Sequence, residues 1–98
     1  MLEKKTQANG MVRVTFHISE HIWADCIALV GEFNNWDTNS HRLRQVGSNG
    51  EWQISLELQT GCSYRFHYLV DGNEWMDDDR ADSSERNIDG GFDSVVCT

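Results

Sequence analysis

Strict alternation of apolar and polar residues constrains this chain more than any other feature of its sequence. Three stretches carry it, and their apolar positions are Val12, Val14, Phe16 and Ile18; Trp52, Ile54, Leu56 and Leu58; and Tyr64, Phe66, Tyr68 and Val70. Successive side chains of a β-strand point to opposite faces, so each stretch predicts a strand with one buried face. In the third stretch the alternation places His67 on the outward face.

Shorter segments complete an all-β pattern. Residues 26–31 and 92–98 have the length and composition of strands, residues 43–46 and 74–76 are weaker candidates, and no stretch has the periodicity of an amphipathic helix. Asn-Gly and Asp-Gly pairs lie between these segments and favour tight turns. With 98 residues, the chain is expected to form one β-sandwich over residues 11–98, preceded by a flexible arm at residues 1–10.

Charge and composition exclude several classes of protein. The formal net charge is −8, concentrated between Asp71 and Asp93, which argues against nucleic acid as a partner. No apolar run is long enough to span a membrane, and the first residues lack the apolar core of a secretory signal, so we expect a cytoplasmic protein. Cys26, Cys62 and Cys97 are odd in number and have no Cys-x-x-Cys spacing, so we expect reduced, mostly buried thiols.

Two tryptophans fall outside the strand alternation. Trp36 follows the turn-forming pair Asn34-Asn35, and Trp75 follows the turn at residues 71–73. An indole ring on a loop offers a flat apolar face on which the C–H face of a pyranose can stack. Nearby Asn, Asp and His side chains can bond the sugar hydroxyls. These features favour a carbohydrate-binding function.

The same residues form three motifs that resemble a known family. They are residues 30–36 (VGEFNNW), residues 64–72 (YRFHYLVDG) with Trp75 after them, and residues 90–96 (GGFDSVV). Their order and spacing are similar to those of the family 48 carbohydrate-binding modules, over about residues 12–97. This family includes the glycogen-binding domain of AMP-activated protein kinase β subunits and the early-set domains of isoamylase and glycogen-branching enzymes.

The resemblance implies an immunoglobulin-like early-set β-sandwich of about seven to eight antiparallel strands. It also implies an α-glucan such as glycogen, starch or a maltooligosaccharide as the ligand, bound without catalysis and without a metal or cofactor. The carbohydrate-binding residues would be Trp36, Trp75, His67, Asp93 and Asn35. In the kinase-type modules a Lys matches His67 and an Asn matches Asp93, and residues 87–90 lack the Leu of their sugar-covering loop.

Other functions remain open from the sequence. The acidic run at residues 77–82 could gather calcium ligands but lacks the order of an EF-hand. His17 and His21 have a metal-like spacing only on a helix, and Cys62 and His67 point to opposite faces of one strand. Paired carboxylates could hydrolyse glucans, although a sandwich of this size has little room for the cleft. A module that docks a partner enzyme or a kinase-like complex is the main alternative.

Overall fold

In the computed structural model the chain is a β-sandwich. The structure describes residues 2–18, 23–46, 50–78 and 80–98. Its strands are β1 Leu2–Thr6, β2 Met11–Ile18, β3 Ile27–Gly31, β4 Arg44–Val46, β5 Glu51–Gln59, β6 Ser63–Val70, β7 Glu74–Met76, β8 Ser83–Arg86 and β9 Phe92–Cys97. A 3-10 turn, Glu32–Asn34, follows β3. The all-β early-set sandwich predicted from the sequence is confirmed, with nine strands in the described part of the chain rather than the expected seven to eight.

Two antiparallel sheets form the layers. The first has the strand order β1-β2-β5-β4, and the second has the order β3-β6-β9-β8. In the second sheet, one side of β6 pairs with β3, while the other side pairs with β9 near its start and with β7 near its end. Strand β6 is therefore the centre of the second sheet, and residues on β3, β7 and β9 meet around it.

The three alternating stretches supply the interior between the sheets. Val14, Phe16, Phe66 and Tyr68 are almost completely buried there. Phe16 meets Phe66 edge to face, with ring centroids 5.1 Å apart, a favourable geometry for aromatic pairs. Phe33 packs against this core.

A second, smaller apolar cluster lies on the outer face of the second sheet. It consists of Ala28 and Val30 from β3 and Leu69 from β6, each no more than 6% exposed. Their opposite orientation from the main core follows from the two-residue period of the strands. This outer cluster forms the floor on which the candidate site is built.

The N-terminus differs from the predicted flexible arm. Residues Leu2–Thr6 form strand β1, which pairs with β2 from Leu2 opposite Phe16 to Thr6 opposite Val12. Leu2 packs against the core, and the Lys4 ammonium lies 2.6 Å from an Asp82 carboxylate oxygen. Pairing with β1 satisfies backbone groups that would otherwise leave β2 as an open sheet edge.

Two further details depart from the sequence prediction. Strand β8 was not foreseen, because its sequence Ser-Ser-Glu-Arg is polar and exposed throughout. The three cysteines are free, but Cys26 and Cys62 are only half-buried and Cys97 is exposed, so they are not the mostly buried thiols expected. Within the described ranges, no helix has the length and apolar character needed to cross a membrane.

Candidate functional site

The turn after β3 turns Trp36 away from the core. Gly31 sits where a Cβ atom would lie 2.6 Å from the Arg65 carbonyl oxygen and 2.9 Å from side-chain atoms of Phe33 and Phe66, so only glycine fits. The Asn34 side chain accepts a hydrogen bond from the Gly31 N–H at 3.1 Å and donates one to the Leu29 carbonyl at 2.9 Å. These contacts fix the 3-10 turn against β3.

Trp36 has an unusual backbone conformation. Its φ is 60°, and that of Asn35 is 56°, both in the left-handed region. This region is ordinary for Asn but costly for a bulky residue such as Trp. The Trp36 N–H is held by the Gly31 carbonyl at 2.8 Å, and the indole is 42% exposed. The strained backbone therefore occurs at the residue whose apolar ring is exposed to solvent.

A tight hairpin positions Trp75. Asp71 and Gly72 both have positive φ, and the Asn73 N–H donates to the Val70 carbonyl at 3.2 Å, closing the turn between β6 and β7. This register sets Trp75 directly opposite Leu69. Directly opposed residues in an antiparallel pair share a face of the sheet. Trp75 therefore stands on the outer face, 57% exposed.

His67 lies between the two indoles. Its ring centroid is 6.0 Å from that of Trp36 and 5.9 Å from that of Trp75. Across the sheet His67 is opposite Val30 of the outer apolar cluster. The three aromatic rings therefore form one continuous surface above the apolar floor.

Two carboxylates hold the His67 ring. Nδ1 lies 2.6 Å from an Asp77 oxygen, and Nε2 lies 2.6 Å from an Asp93 oxygen. An ionised carboxylate only accepts hydrogen bonds, so a ring nitrogen that carries a proton donates to the carboxylate beside it. This arrangement fixes the plane of the ring between Trp36 and Trp75.

Asp93 is buried beneath this surface at 7% exposure. Burial by itself raises the pKa of the Asp93 carboxyl, but hydrogen bonds from Asn87 and His67, with the positive charges of His67 and Arg65, outweigh it, and the pKa lies below its ordinary value. The Arg65 guanidinium is 3.5 Å from the second Asp93 oxygen. Asp93 therefore remains an anion that anchors His67.

These residues enclose a groove of about 560 Å³, here called the main groove. Its lining residues are Val30, Trp36, Thr38, His67, Trp75, Asn87, Asp89 and Asp93. Four of the five residues singled out from the sequence, namely Trp36, Trp75, His67 and Asp93, are thus brought together. The fifth, Asn35, lies in the turn before Trp36 and does not line the groove.

Sequence reasoning missed Thr38, Asn87 and Asp77 at this site. Asn87 donates to Asp93 at 3.1 Å and forms the base of the turn between β8 and β9. Asp77 follows β7. Leu69 lies opposite Trp75 in the pairing of β6 with β7, so His67 and Asp77, each two residues further along, come together. The register that brings Asp77 to His67 is known only from the structure, and the sequence offered no signal for Thr38. Asn87 lies within residues 87–90, which the family resemblance matched to the sugar-covering loop.

The acidic run at residues 77–82 is tied to the sandwich. Besides the Asp77 contact with His67, Asp78 accepts a hydrogen bond from the Tyr68 hydroxyl at 2.9 Å. Asp82 accepts the Cys97 N–H at 2.7 Å and pairs with Lys4. Asp79 lies outside the described residues. These carboxylates have separate partners on different strands and do not converge on a common point.

The remaining chemical pairs are separated. His17 contacts Glu51, with Nε2 2.7 Å from a carboxylate oxygen, while His21 lies outside the described residues. The Cys62 thiol donates to the Thr60 carbonyl at 3.8 Å, and both nitrogens of His67 are engaged by Asp77 and Asp93. The Cys62 thiol and the His67 base are therefore not paired.

The chain is similar to several curated 1,4-alpha-glucan branching enzymes. Among curated proteins, the chain is 34% identical over 59 residues to the 1,4-alpha-glucan branching enzyme GlgB of Leifsonia xyli subsp. xyli, covering 56% of this chain and 8% of the enzyme. It is 46% identical over 44 residues to GlgB of Methylococcus capsulatus, covering 44% of this chain and 6% of that enzyme. It is 35% identical over 75 residues to GlgB of Rhodopirellula baltica, covering 72% of this chain and 10% of that enzyme. The chain spans no more than a tenth of these three enzymes.

The family comparison covers the sandwich itself. Residues 13–94 match the family described as the glycogen recognition site of AMP-activated protein kinase. The match contains the turn that carries Trp36, the hairpin that carries Trp75, and strand β6 with His67. It confirms the resemblance inferred from the three motifs, and the chain belongs to this glycogen-recognition family of carbohydrate-binding modules.

Proposed function

We propose that this chain binds α-glucan, as glycogen, starch or maltooligosaccharide, by stacking sugar rings on Trp36 and Trp75. One observation carries the proposal: two exposed indoles flank a single groove, with the His67 ring about 6 Å from each. Apolar ring faces complement the C–H faces of pyranoses. The polar groups of Thr38, Asn87 and Asp89 line the same groove and can bond hydroxyls at the sugar edge.

The expected affinity is modest. Each stacked sugar buries on the order of 100 Å² of apolar surface, which contributes about 2–3 kcal/mol. Two such stacks, less the cost of association, correspond to a dissociation constant of roughly millimolar to high micromolar. A polymer that presents many chain ends or segments raises the effective affinity by multivalency. The module therefore suits retention on a polysaccharide better than capture of a free sugar.

Binding without cleavage is part of the proposal. A glycoside hydrolase needs one carboxyl whose pKa is raised so that it can donate a proton. Asp93, the buried carboxyl of the groove, has the opposite shift, with a pKa below the ordinary value. Asp93 is also occupied by His67 and Asn87, which favours a positioning role.

Affinity electrophoresis in glycogen gels and calorimetric titration with maltoheptaose test the proposal. Trp36→Ala and Trp75→Ala should each weaken binding more than tenfold, since each removes a stack of about 2–3 kcal/mol. Trp23→Ala is the matched control, because Trp23 is 89% exposed and lies outside the groove lining. Absence of wild-type retention, together with unchanged spectra at millimolar maltoheptaose, would reject it. Release of reducing sugar would contradict the non-catalytic part.

A further inference from the structure

A second groove adjoins the main groove across Trp75. Its volume is about 470 Å³, and its lining residues are Cys26, Ala28, Thr38, Asn39, Arg42, Leu69, Gly72, Asn73 and Trp75. Trp75 and Thr38 line both grooves. The two depressions are therefore neighbouring parts of one face of the second sheet, and Trp75 stands at their boundary.

The floor of the second groove continues the apolar floor of the main one. Ala28 and Leu69 lie in the second groove and Val30 lies in the main groove, and all three belong to the outer apolar cluster. An indole that stands between two depressions over one apolar floor can offer contact to both. A ligand stacked on Trp75 thus has a continuous apolar path into the second groove.

The walls of the second groove carry hydrogen-bonding groups that have no partner among the residues the structure describes. Within the described part of the chain, the side chains of Asn39, Arg42 and Asn73 make no hydrogen bond or ion pair. Asn39 and Arg42 come from the segment between Trp36 and β4, while Asn73 comes from the hairpin between β6 and β7. Free amides and a guanidinium on both walls can donate to hydroxyl and ring oxygens lying between them.

The chemistry of these walls suits a neutral polyhydroxylated chain. Thr38, Asn39 and Asn73 are uncharged, and Arg42 is the single formal charge among the lining residues. Carboxylates of Asp71 and Asp37 lie in the two segments that carry these walls, and the whole chain has a net charge of −8. The negative charge of the protein would repel an anionic ligand, whereas it does not repel a neutral sugar.

We infer that the second groove binds the continuation of the α-glucan whose first sugars stack on Trp36 and Trp75, so that the module reads chain length. The inference rests on the proposed function of the main groove. It assigns Asn39, Arg42 and Asn73 as hydroxyl-binding residues of the extended site. A short oligosaccharide fills the main groove, and a longer one crosses Trp75 into the second.

Calorimetric titration with maltotriose and maltoheptaose tests this inference. The wild type should bind maltoheptaose more tightly than maltotriose. The double variant Arg42→Ala/Asn73→Ala should keep the maltotriose affinity within about twofold but lose about three- to tenfold in maltoheptaose affinity, the effect of one or two hydrogen bonds. Arg44→Ala is the matched control, since this exposed arginine lies outside both grooves.

Nitrogen-edited NMR of side-chain amides gives an independent readout. The Asn39 and Asn73 signals should shift when wild-type protein is saturated with maltoheptaose. Unmoved signals, or a double variant that keeps the full preference for maltoheptaose, would overturn the inference while the main groove still binds. A wild type that binds neither sugar would instead reject the proposed function itself.

Discussion

The His67 imidazole and the Asp93 carboxylate are joined by a contact of 2.6 Å between Nε2 and Oδ1. Their side chains are only 19% and 9% exposed. These are also the two positions at which the chain departs from the Lys and Asn of the kinase-type modules. The two departures therefore meet in space, on strands β6 and β9, and replace one polar pair by another.

A double-mutant cycle should detect this contact. His67→Ala and Asp93→Ala each remove a short polar contact between two largely buried side chains and should lower the free energy of unfolding by about 1–3 kcal/mol. The destabilisation of the double variant, measured by urea denaturation, should be smaller than the sum of the two single-variant effects by about 1 kcal/mol or more. The exposed pair Arg13 and Glu57, at 3.6 Å, is the control and should couple by less than about 0.5 kcal/mol. Additive effects of His67 and Asp93 would contradict the contact.

The low pKa of Asp93 predicts how stability depends on acid. The folded-state pKa lies below the ordinary value of 3.8, so the carboxylate contributes stability that is fully present above that pH. The contribution falls as the pH drops through the folded-state pKa. The stability difference between wild type and Asp93→Asn should therefore be larger at pH 5 than at pH 3. Carbon-detected NMR should place the Asp93 titration midpoint below 3.8, and a midpoint above it would contradict the assignment.

The buried faces of the strands could be predicted from the sequence, because burial on one side imposes a two-residue period. Val14, Phe16 and Phe66 are buried as the pattern requires. Strand β8 could not be predicted, since its exposed side chains leave no apolar period and its place depends on pairing with β9. Strand β1 was missed for a similar reason, because only Leu2 of its five residues contacts the core.

The candidate site was predictable in part. Trp36 and Trp75 stand out because they interrupt the alternation, and the motifs point to His67 and Asp93. The contacts among these residues depend on the register of β6 against both β7 and β9, which local sequence does not determine. For this reason the role of Asp77 emerged only from the structure. Asn35 was expected at the site but proves to be the residue whose left-handed conformation precedes Trp36.

Strand β1 predicts protection of the N-terminus from hydrogen exchange. Backbone amides within Leu2–Thr6 that donate to β2 should exchange at least tenfold more slowly than in an unstructured chain, because exchange requires a local opening that breaks their hydrogen bonds. Lys4→Ala, which removes the contact with Asp82, should reduce this protection while leaving that of β5 unchanged. Exchange at the unstructured rate throughout Leu2–Thr6 would instead restore the flexible arm expected from the sequence.

Gly31 connects the fold to the binding surface, and its substitution should disturb both. Gly31→Ala places a Cβ atom 2.6 Å from the Arg65 carbonyl oxygen and 2.9 Å from Phe33 and Phe66, so backbone and aromatic rings must shift. Overpacking of this kind costs about 1–3 kcal/mol in the free energy of unfolding. Because the same residue holds the Trp36 N–H through its carbonyl, glycogen retention should fall as well.

Gly91→Ala is the matched control for this prediction. Its Cβ atom would have only ordinary contacts with Asn87, at 3.6 and 3.8 Å, and the Gly91 backbone is not in the left-handed region. Its effect on stability should therefore stay within about 0.5 kcal/mol, because neither strain nor a steric clash is introduced. Urea denaturation and affinity electrophoresis of both variants separate the two positions. Equal stability and equal glycogen retention of the Gly31 and Gly91 variants would mean that the close approach at Gly31 does not hold Trp36 in place.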